Sequence, residues 1–347
     1  MSQPKRTDIA KLGEFGLIDH LTQNFKPGHR NTIYGVGDDA AVLRNEKEAT
    51  VVTTDMLLEG IHFDLMYQPL KHLGYKAVAV NVSDVYAMNA LPCHITVSIA
   101  LSNRFSVEAV DELYKGIKSG CEYYGVDLVG GDTTTSRSGL VISVTAIGQG
   151  HPDDLVYRDG ARPGDFLVTT GDLGAAYIGL QLLEREKAIF LENPEIQPDL
   201  DNQNYLVGRI LKPEARKDIY EEFQRLKLKP TSMIDISDGL ASELFHICDR
   251  SGVNGYIDED LIPIASETRE LAFKFNMDPT TAALNGGEDY ELLFTIDPGD
   301  RELVGQMADA TIIGQITEPG TGIVLHSKAG LVHPLKAQGW QHFRSNK

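Results

Sequence analysis

Short acidic segments, most of them beside glycine, recur along the chain and constrain its fold more than any other feature of the sequence. The first is GVGDDA at residues 35–40, and related segments follow at 53–55, 130–132, 235–238 and 286–289. Glycine lets the backbone approach a ligand closely, and carboxylates supply the hard oxygen ligands that Mg²⁺ prefers. A fold that brings these segments together would form a site in which several Mg²⁺ ions hold a nucleotide polyphosphate.

The charge of the chain limits its partners. Its 32 basic and 50 acidic residues give a formal net charge of −18. Nucleic acids and anionic membranes are bound by basic patches, so we expect neither as a partner. A phosphate substrate is compatible with this charge, because bound divalent cations reverse the sign of the local field.

The length of 347 residues is enough for two domains, and a Gly-, Pro- and Asp-rich stretch at 148–165 predicts the boundary. We expect an N-terminal domain at 1–150 and a C-terminal domain at 151–347. The three cysteines are far apart and odd in number, which indicates neither a disulfide framework nor a zinc site. The sequence shows no secretory signal and no apolar run of membrane-spanning length, so we expect a cytoplasmic protein.

Both halves mix strands with helices, which predicts an α/β protein of the α+β type. In the first half, periodicity predicts helices at 8–26, 74–90 and 106–124 and strands at 41–43, 49–54, 94–101 and 140–147. Asp55 is expected at the exit of the second of these strands. In the second half the patterns predict strands at 166–170, 232–234 and 291–296, helices at 175–185, 213–226 and 239–250, and a polar surface insertion at 186–206.

The segment at 35–40 also matches the dinucleotide fingerprint G-x-G-x-x-A, but the residues after it do not fit that motif. The fingerprint requires a helix after the turn, whose free N–H groups bind pyrophosphate. Here strand-like residues follow, and two adjacent carboxylates would repel a pyrophosphate. The sequence also contains neither a P-loop nor the motifs of protein kinases.

Cations between the carboxylates and a polyphosphate would remove this repulsion, so aspartates of these segments are candidate metal ligands. A single aspartate beside glycine is more often a turn former or a helix cap. Asp84 is harder to explain in that way, because Asn81 and Asp84 place two polar groups on one face of an apolar helix. The candidates are Asp39, Asp55, Asp84, Asp132, Asp235 and Asp238, with Thr53 and Thr54 adding a carbonyl or hydroxyl oxygen.

Longer motifs occur in a fixed order: GVGDDA (35–40), TTD (53–55) with EGIHF (59–63), AVNVSD (79–84), GGDTT (130–134), RPGD (162–165), IDISDGL (234–240) and GGEDYEL (286–292). Together they resemble the thiamine-monophosphate kinase family over nearly the whole chain. The resemblance implies the aminoimidazole-ribonucleotide-synthetase-like fold: two α/β domains with mixed sheets covered by helices, and N-terminal domains that pair in a homodimer. It also implies ATP- and Mg²⁺-dependent phosphorylation of thiamine monophosphate to thiamine diphosphate.

The resemblance also implies roles for individual residues. All eight candidate ligands named above match metal-binding positions of the family, and Asp55, Asp132 and Asp238 among them match catalytic positions. The ATP-contacting positions are Gly131, Arg158, Ser237 and Tyr114, and the thiamine-binding positions are His62, Glu288 and Trp340. Each of four residues also has an ordinary structural explanation. Tyr114 and Trp340 could serve only in packing, His62 could be a structural histidine, and Arg158 could be an exposed surface residue. Three features depart from the commoner family pattern and affect the expected substrate contacts: Met56-Leu57-Leu58, Trp340-Gln341 and the long 186–206 segment.

The implied reaction is direct in-line transfer of the ATP γ-phosphoryl group to a phosphate oxygen of thiamine monophosphate. A phosphate monoester has a second pKa of about 6, so its oxygen is already ionised and no general base is needed. Two alternatives stay open. One is another ATP-dependent synthetase of the same superfamily, and the other is a non-catalytic acidic protein that binds metal or nucleotide.

Overall fold

A computed structural model of the protein describes residues 32–34, 37–45 and 47–336. Within these ranges the chain forms two mixed β-sheets, each accompanied by helices. None of the described helices is long and apolar enough to cross a bilayer. The predicted helix at 8–26 and Trp340 lie outside the described residues.

The first sheet has six strands: β1 (Thr32–Tyr34), β2 (Ala41–Asn45), β3 (Glu48–Leu58), β4 (Leu91–Leu101), β5 (Asp127–Thr135) and β6 (Val141–Gly150). Their spatial order is β1-β2-β3-β6-β4-β5. β4 and β5 pair in parallel, and all other neighbours pair antiparallel. β5 therefore forms one edge of the sheet.

Two helices, α1 (Leu70–Ala87) and α2 (Val107–Tyr124), accompany this sheet. α1 packs on β3, β4 and β6, and α2 packs on α1. Two glycines permit the close approach of the helices: a Cβ at Gly74 would lie 2.0 Å from the Leu113 carbonyl oxygen, and one at Gly116 would lie 1.9 Å from that of Lys71. Larger side chains at these two positions would separate the helices.

The second sheet has seven strands: β7 (Phe166–Thr170), β8 (Ser232–Ile236), β9 (Asn254–Asp258), β10 (Glu291–Ile296), β11 (Ala310–Thr317), β12 (Ile323–His326) and β13 (Val332–Pro334). Their order is β13-β12-β9-β11-β7-β10-β8, with β9 and β12 parallel and the other neighbours antiparallel. The helices of this half are α3 (Ala175–Glu192), α4 (Asn204–Leu211), α5 (Lys217–Leu226), α6 (Leu240–Ser251), α7 (Ser266–Lys274), α8 (Pro279–Asn285) and α9 (Arg301–Val304).

α1 lies between the two halves of the molecule. It packs on the first sheet and also contacts β8 of the second. Apolar residues on several sides of the helix, such as Leu73, Val78 and Val82, are fully buried. A helix that is covered on most sides has to be apolar on most sides, so each polar group within it needs a specific partner.

Three acidic residues predicted at strand exits or in turns lie inside strands. β3 continues to Leu58, so Asp55 is not at its exit, and β8 continues to Ile236 and includes Asp235. Asp132 lies in β5, a strand that sequence reasoning missed because its glycines and aspartates have low β propensity.

The predicted surface insertion at 186–206 was wrong at both of its ends. α3 continues to Glu192, and α4 begins at Asn204. The Glu186 side chain is buried and accepts a hydrogen bond of 2.9 Å from the N–H of Asp199. The intervening segment is thereby attached to α3 by a buried side chain.

Candidate active site

Three carboxylates from distant parts of the chain converge where α1 meets the second sheet. Asp39 precedes β2, Asp84 lies in α1 and Asp235 lies in β8. One carboxylate oxygen from each lies within 4.8 Å of the others. We call these three residues the carboxylate cluster.

Short hydrogen bonds orient two of these carboxylates. The Thr53 hydroxyl donates to Asp84 Oδ2 at 2.6 Å, and the Ser83 hydroxyl donates to Asp235 Oδ2 at 2.6 Å. Both donors come from elements of the N-terminal half, which ties Asp235 of the second sheet to α1. The cluster is therefore built across the contact between the two sheets.

Burial raises the pKa of two carboxyls of the cluster, those of Asp84 and Asp235. The pKa of Asp84 lies well above its ordinary value, first because of burial and then because of the charges of Asp55, Asp235 and Asp39. Burial, followed by the charge of Asp39, raises the pKa of Asp235 to about 8. Carboxylates so close together in a poorly solvated site ionise together only when a cation neutralises them. Their hard oxygens and close spacing fit a divalent cation such as Mg²⁺.

Arg158 places a cation beside the cluster. Its Nε donates to Asp39 Oδ2 at 2.9 Å and its Nη2 to Asp39 Oδ1 at 2.7 Å, a two-pronged ion pair. The backbone N–H of Arg158 donates to Asp38 Oδ2 at 3.1 Å. Asp38 was not among the predicted site residues, and burial together with the charge of Asp39 raises its pKa to about 7. Arg158 is thus no plain surface arginine.

The alternation of β3 separates its three candidate residues. Thr53 and Asp55 point toward α1, where Asp55 donates its backbone N–H to Asn81 Oδ1 at 3.0 Å. The Thr54 side chain points to the other face of the sheet, and its hydroxyl donates to the Val144 carbonyl oxygen at 2.9 Å. The Thr54 hydroxyl is therefore directed away from the cluster, and a role for its carbonyl oxygen stays a prediction.

Gly131 and Asp132 lie on the exposed edge strand β5. The Asp132 carboxylate accepts a hydrogen bond of 2.8 Å from the N–H of Thr133. A Cβ at Gly131 would lie 1.9 Å from the carbonyl oxygen of Val97, so the strand can approach β4 only with glycine at this position. Asp132 is not one of the three convergent carboxylates, and its metal role stays a prediction.

The loop between β8 and α6 contains Ser237 and Asp238. The N–H of Asp238 donates to Glu243 Oε1 at 2.9 Å, and the carbonyl oxygen of Ser237 accepts from the N–H of Glu288 at 2.7 Å. Sequence reasoning missed Glu243, although a glutamate in the first turn of an apolar helix after an acidic loop is a usable signal. The loop is thus connected both to α6 and to the Gly-Gly-Glu-Asp turn.

His62 and Glu288, two predicted substrate residues, both contact Lys76 of α1. Lys76 Nζ lies 2.5 Å from Glu288 Oε2 and 3.4 Å from the carbonyl oxygen of His62. The His62 ring is held by the N–H of Leu58, which donates to Nδ1 at 3.0 Å. Lys76 was not predicted, although a lysine within an apolar helix is a signal of buried pairing. Tyr114 is partly buried against the hydrophobic core that includes α1 and the first sheet. This agrees with a packing role, and its contact with adenine stays a prediction.

Comparisons with known proteins agree with this architecture. Residues 37–149 match the AIR synthase related protein N-terminal domain and residues 162–326 match its C-terminal domain. The thiamine-monophosphate kinase of Aquifex aeolicus (strain VF5) is 35% identical over 335 residues, which cover 96% of this chain and 99% of the relative. That of Escherichia coli (strain K12) is 33% identical over 345 residues and 95% and 98% of the two chains.

A solved structure described as AaThiL complexed with AMPPCP and TMP is 35% identical and superposes with a TM-score of 0.83 over 99% of this chain and 100% of that chain. The expected two-domain fold of mixed sheets and helices is confirmed by these matches. Their identity and nearly complete coverage show that the chain belongs to the thiamine-monophosphate kinase family of AIR synthase related proteins.

Proposed function

We propose that this protein transfers the γ-phosphoryl group of ATP directly to thiamine monophosphate, with Mg²⁺ ions held by the carboxylate cluster. The observation that carries the proposal is the convergence of Asp39, Asp84 and Asp235 within 4.8 Å. The relative that was solved with AMPPCP and TMP supports the identity of the two substrates. Bound Mg²⁺ would offset the charge that repels one phosphate from the other.

In this proposal the residues around the cluster orient its carboxylates and bind the metal ions and the substrates. Thr53 and Ser83 fix the carboxylates of Asp84 and Asp235 through their hydroxyl groups. Asp55, Asp132 and Asp238, with the carbonyl oxygens of Thr53 and Thr54, are the further proposed ligands. Gly131, Arg158, Ser237 and Tyr114 are proposed to contact ATP, and His62, Glu288 and Trp340 to bind the thiamine moiety.

No proton has to be removed from the acceptor. The second pKa of a phosphate monoester is about 6, so the attacking oxygen of thiamine monophosphate is already largely ionised near neutral pH. The residues of the site therefore need to position two anions and exclude alternative geometries rather than supply a general base. Arg158 is a planar cation that already pairs with Asp39 inside the site. Its guanidinium group is also suited to bind the phosphate that is transferred.

The assignment of residues 1–150 to ATP and Mg²⁺ binding and dimerisation, and of 151–347 to completion of the site, belongs to the same proposal. β5 supports the dimer: it is an edge strand, and all nine of its residues are exposed. Leu128 and Val129 are 43% and 58% exposed there. Unpaired edges with exposed apolar residues commonly pair with another chain.

Light scattering tests the dimer. We expect the wild-type protein to be dimeric and Val129→Lys to be shifted to the monomer, because a charged residue on an edge strand opposes pairing. Val107→Lys is the matched control, since Val107 is 73% exposed but lies at the start of α2. A monomeric wild-type protein would rule out the dimer without affecting the proposed reaction.

The proposed reaction is tested by incubating the protein with ATP, Mg²⁺ and thiamine monophosphate and measuring thiamine diphosphate and ADP. Both products should form in equal amounts, and a chelator should stop the reaction. ADP without thiamine diphosphate would favour another ATP-dependent enzyme of the superfamily. Nucleotide binding without turnover would favour a non-catalytic binding protein.

A further inference from the structure

Lys76 is a buried cation beside the proposed substrate residues, and the roles proposed above do not include it. It lies in α1, where only 1% of its side chain is accessible to solvent. Lysine is almost never buried to this extent unless its ammonium group is paired. The partners of Lys76 therefore indicate why it is there.

Three acceptors from three parts of the fold surround the ammonium group. Nζ lies 2.5 Å from Glu288 Oε2, 3.4 Å from the carbonyl oxygen of His62 and 3.5 Å from that of Ile210. An ammonium group has three N–H donors, so these contacts match its capacity. Lys76 thus connects the loop after β3, the end of α4 and the turn before β10.

The turn that contains Glu288 has an unusual backbone. The φ angle of Glu288 is +62°, a region that residues other than glycine rarely adopt. Its N–H donates to the carbonyl oxygen of Ser237 at 2.7 Å, which fixes the backbone. The Lys76 ammonium fixes the carboxylate through Oε2, while 27% of the Glu288 side chain stays accessible. A ligand can meet Glu288 at this accessible part of its side chain.

We propose that Lys76 is a positioning residue for the substrate, which holds the Glu288 carboxylate and the His62 loop so that Glu288 accepts a hydrogen bond from an amino-substituted heterocycle. This inference rests on the proposed function, because the aminopyrimidine of thiamine monophosphate is such a heterocycle. Since Lys76 offsets the charge of Glu288, the pair recognises its ligand through a fixed acceptor rather than through net negative charge. Glu288 is in this respect unlike the carboxylate cluster.

Steady-state kinetics of Lys76→Met test the role, since methionine is of similar length and suits an apolar helix. Without its partner, Glu288 loses its fixed position, and we expect the KM for thiamine monophosphate to rise at least about tenfold. The KM for ATP should stay within about twofold, because the cluster is untouched. A purely structural role would instead change both KM values and kcat together.

Two further measurements tie the effect to Glu288. In the double variant Lys76→Met/Glu288→Gln, the KM for thiamine monophosphate should rise no more than in the single variant with the larger rise, because Lys76 acts through Glu288. An analogue that carries an oxo group in place of the pyrimidine amino group should bind much more weakly than thiamine monophosphate to the wild type. Lys76→Met should not discriminate between the two.

Lys187→Met is the matched control. Lys187 also forms an ion pair between the two halves of the molecule, with Nζ 2.7 Å from Asp64 Oδ2, and its ion-pair partners among the described residues, Asp64 and Glu184, are not proposed substrate residues. Its KM values should stay within about twofold of the wild type. If circular dichroism shows that Lys76→Met is unfolded, Lys76→Gln replaces it, and the same selective but smaller rise in KM is expected.

The outcomes separate this inference from the proposed function. A wild-type protein that forms no thiamine diphosphate would refute the proposed function and this inference with it. An active wild type whose KM for thiamine monophosphate is unchanged in the Lys76 variant would overturn the inference alone. Effects of Lys76→Met and Glu288→Gln that multiply in the double variant would also overturn it.

Discussion

Two groups of acidic residues in the described part of the chain differ in how their charge is balanced. In the carboxylate cluster of Asp39, Asp84 and Asp235, Arg158 pairs with Asp39. In the second group, Asp172, Asp289 and Glu291 lie beside two arginines. The Glu291 carboxylate alone accepts hydrogen bonds from Arg209, Arg216 and the Thr170 hydroxyl.

The difference in balance indicates a difference in role. Buried ion pairs in which each cation has a carboxylate partner connect elements of a fold, and here Arg209 of α4 and Arg216 at the start of α5 are joined to Glu291 of β10. An excess of buried carboxylate costs stability unless a cation joins it. We interpret the second group as structural and the carboxylate cluster as a binding site for divalent cations.

The largest expected effect is on the activity of a cluster variant. Asp235→Asn keeps the shape of the side chain but removes a proposed ligand, so we expect the rate of thiamine diphosphate formation to fall by about 10²–10³-fold. The variant should remain folded, because an amide replaces a carboxyl whose pKa burial already raises to about 8. Asp153→Asn is the control, since the Asp153 side chain is 90% exposed. Full activity of Asp235→Asn at saturating Mg²⁺ would contradict the assignment.

A variant of the second group should lose stability, whereas a variant of the cluster should lose activity. Glu291→Gln removes the buried carboxylate that pairs with both Arg209 and Arg216, and we expect the free energy of unfolding to fall by about 3 kcal/mol. Urea denaturation measures this change. Glu186→Gln is the matched control, since Glu186 is also buried but accepts a backbone N–H, and the arginine 3.8 Å from it, Arg185, has a side chain that is 58% exposed. Equal losses in the two variants would remove the contrast between the groups.

The smallest expected effect is on the pH dependence of stability without divalent cations. Burial and the charge of Asp39 raise the pKa of Asp235 from 3.8 to about 8, so the folded protein binds this proton more tightly than the unfolded chain. Stability should therefore fall as pH rises between these two values. Urea titrations across this range should show a steeper fall for the wild type than for Asp235→Asn. Parallel pH profiles would show that Asp235 ionises normally.

The sequence predicted the parts of the site that depend on local patterns. Asp84 was correctly placed in an apolar helix, because a polar pair at i and i+3 in an otherwise buried face needs a partner. The strand after residue 40, which argues against the dinucleotide motif, was also predicted from its apolar residues. These features are set by residues that are close in the chain.

The remainder depends on contacts between distant segments. Lys76 and Glu288 are 212 residues apart, and nothing near either residue specifies the pairing. The direction of the Thr54 hydroxyl follows from the register of β3 with β6, and β5 was missed because its glycines and aspartates suit a turn as well as a strand. Tertiary packing decided each of these features.

We propose that the carboxylate cluster binds the cations that hold ATP. The most direct test is a crystal structure with Mn²⁺ in place of Mg²⁺ and a non-hydrolysable ATP analogue, with an anomalous difference map to locate the metal. We predict anomalous peaks within coordination distance of Asp39, Asp84 and Asp235 and next to the phosphates. Bound nucleotide with its metal away from these three carboxylates would contradict the account.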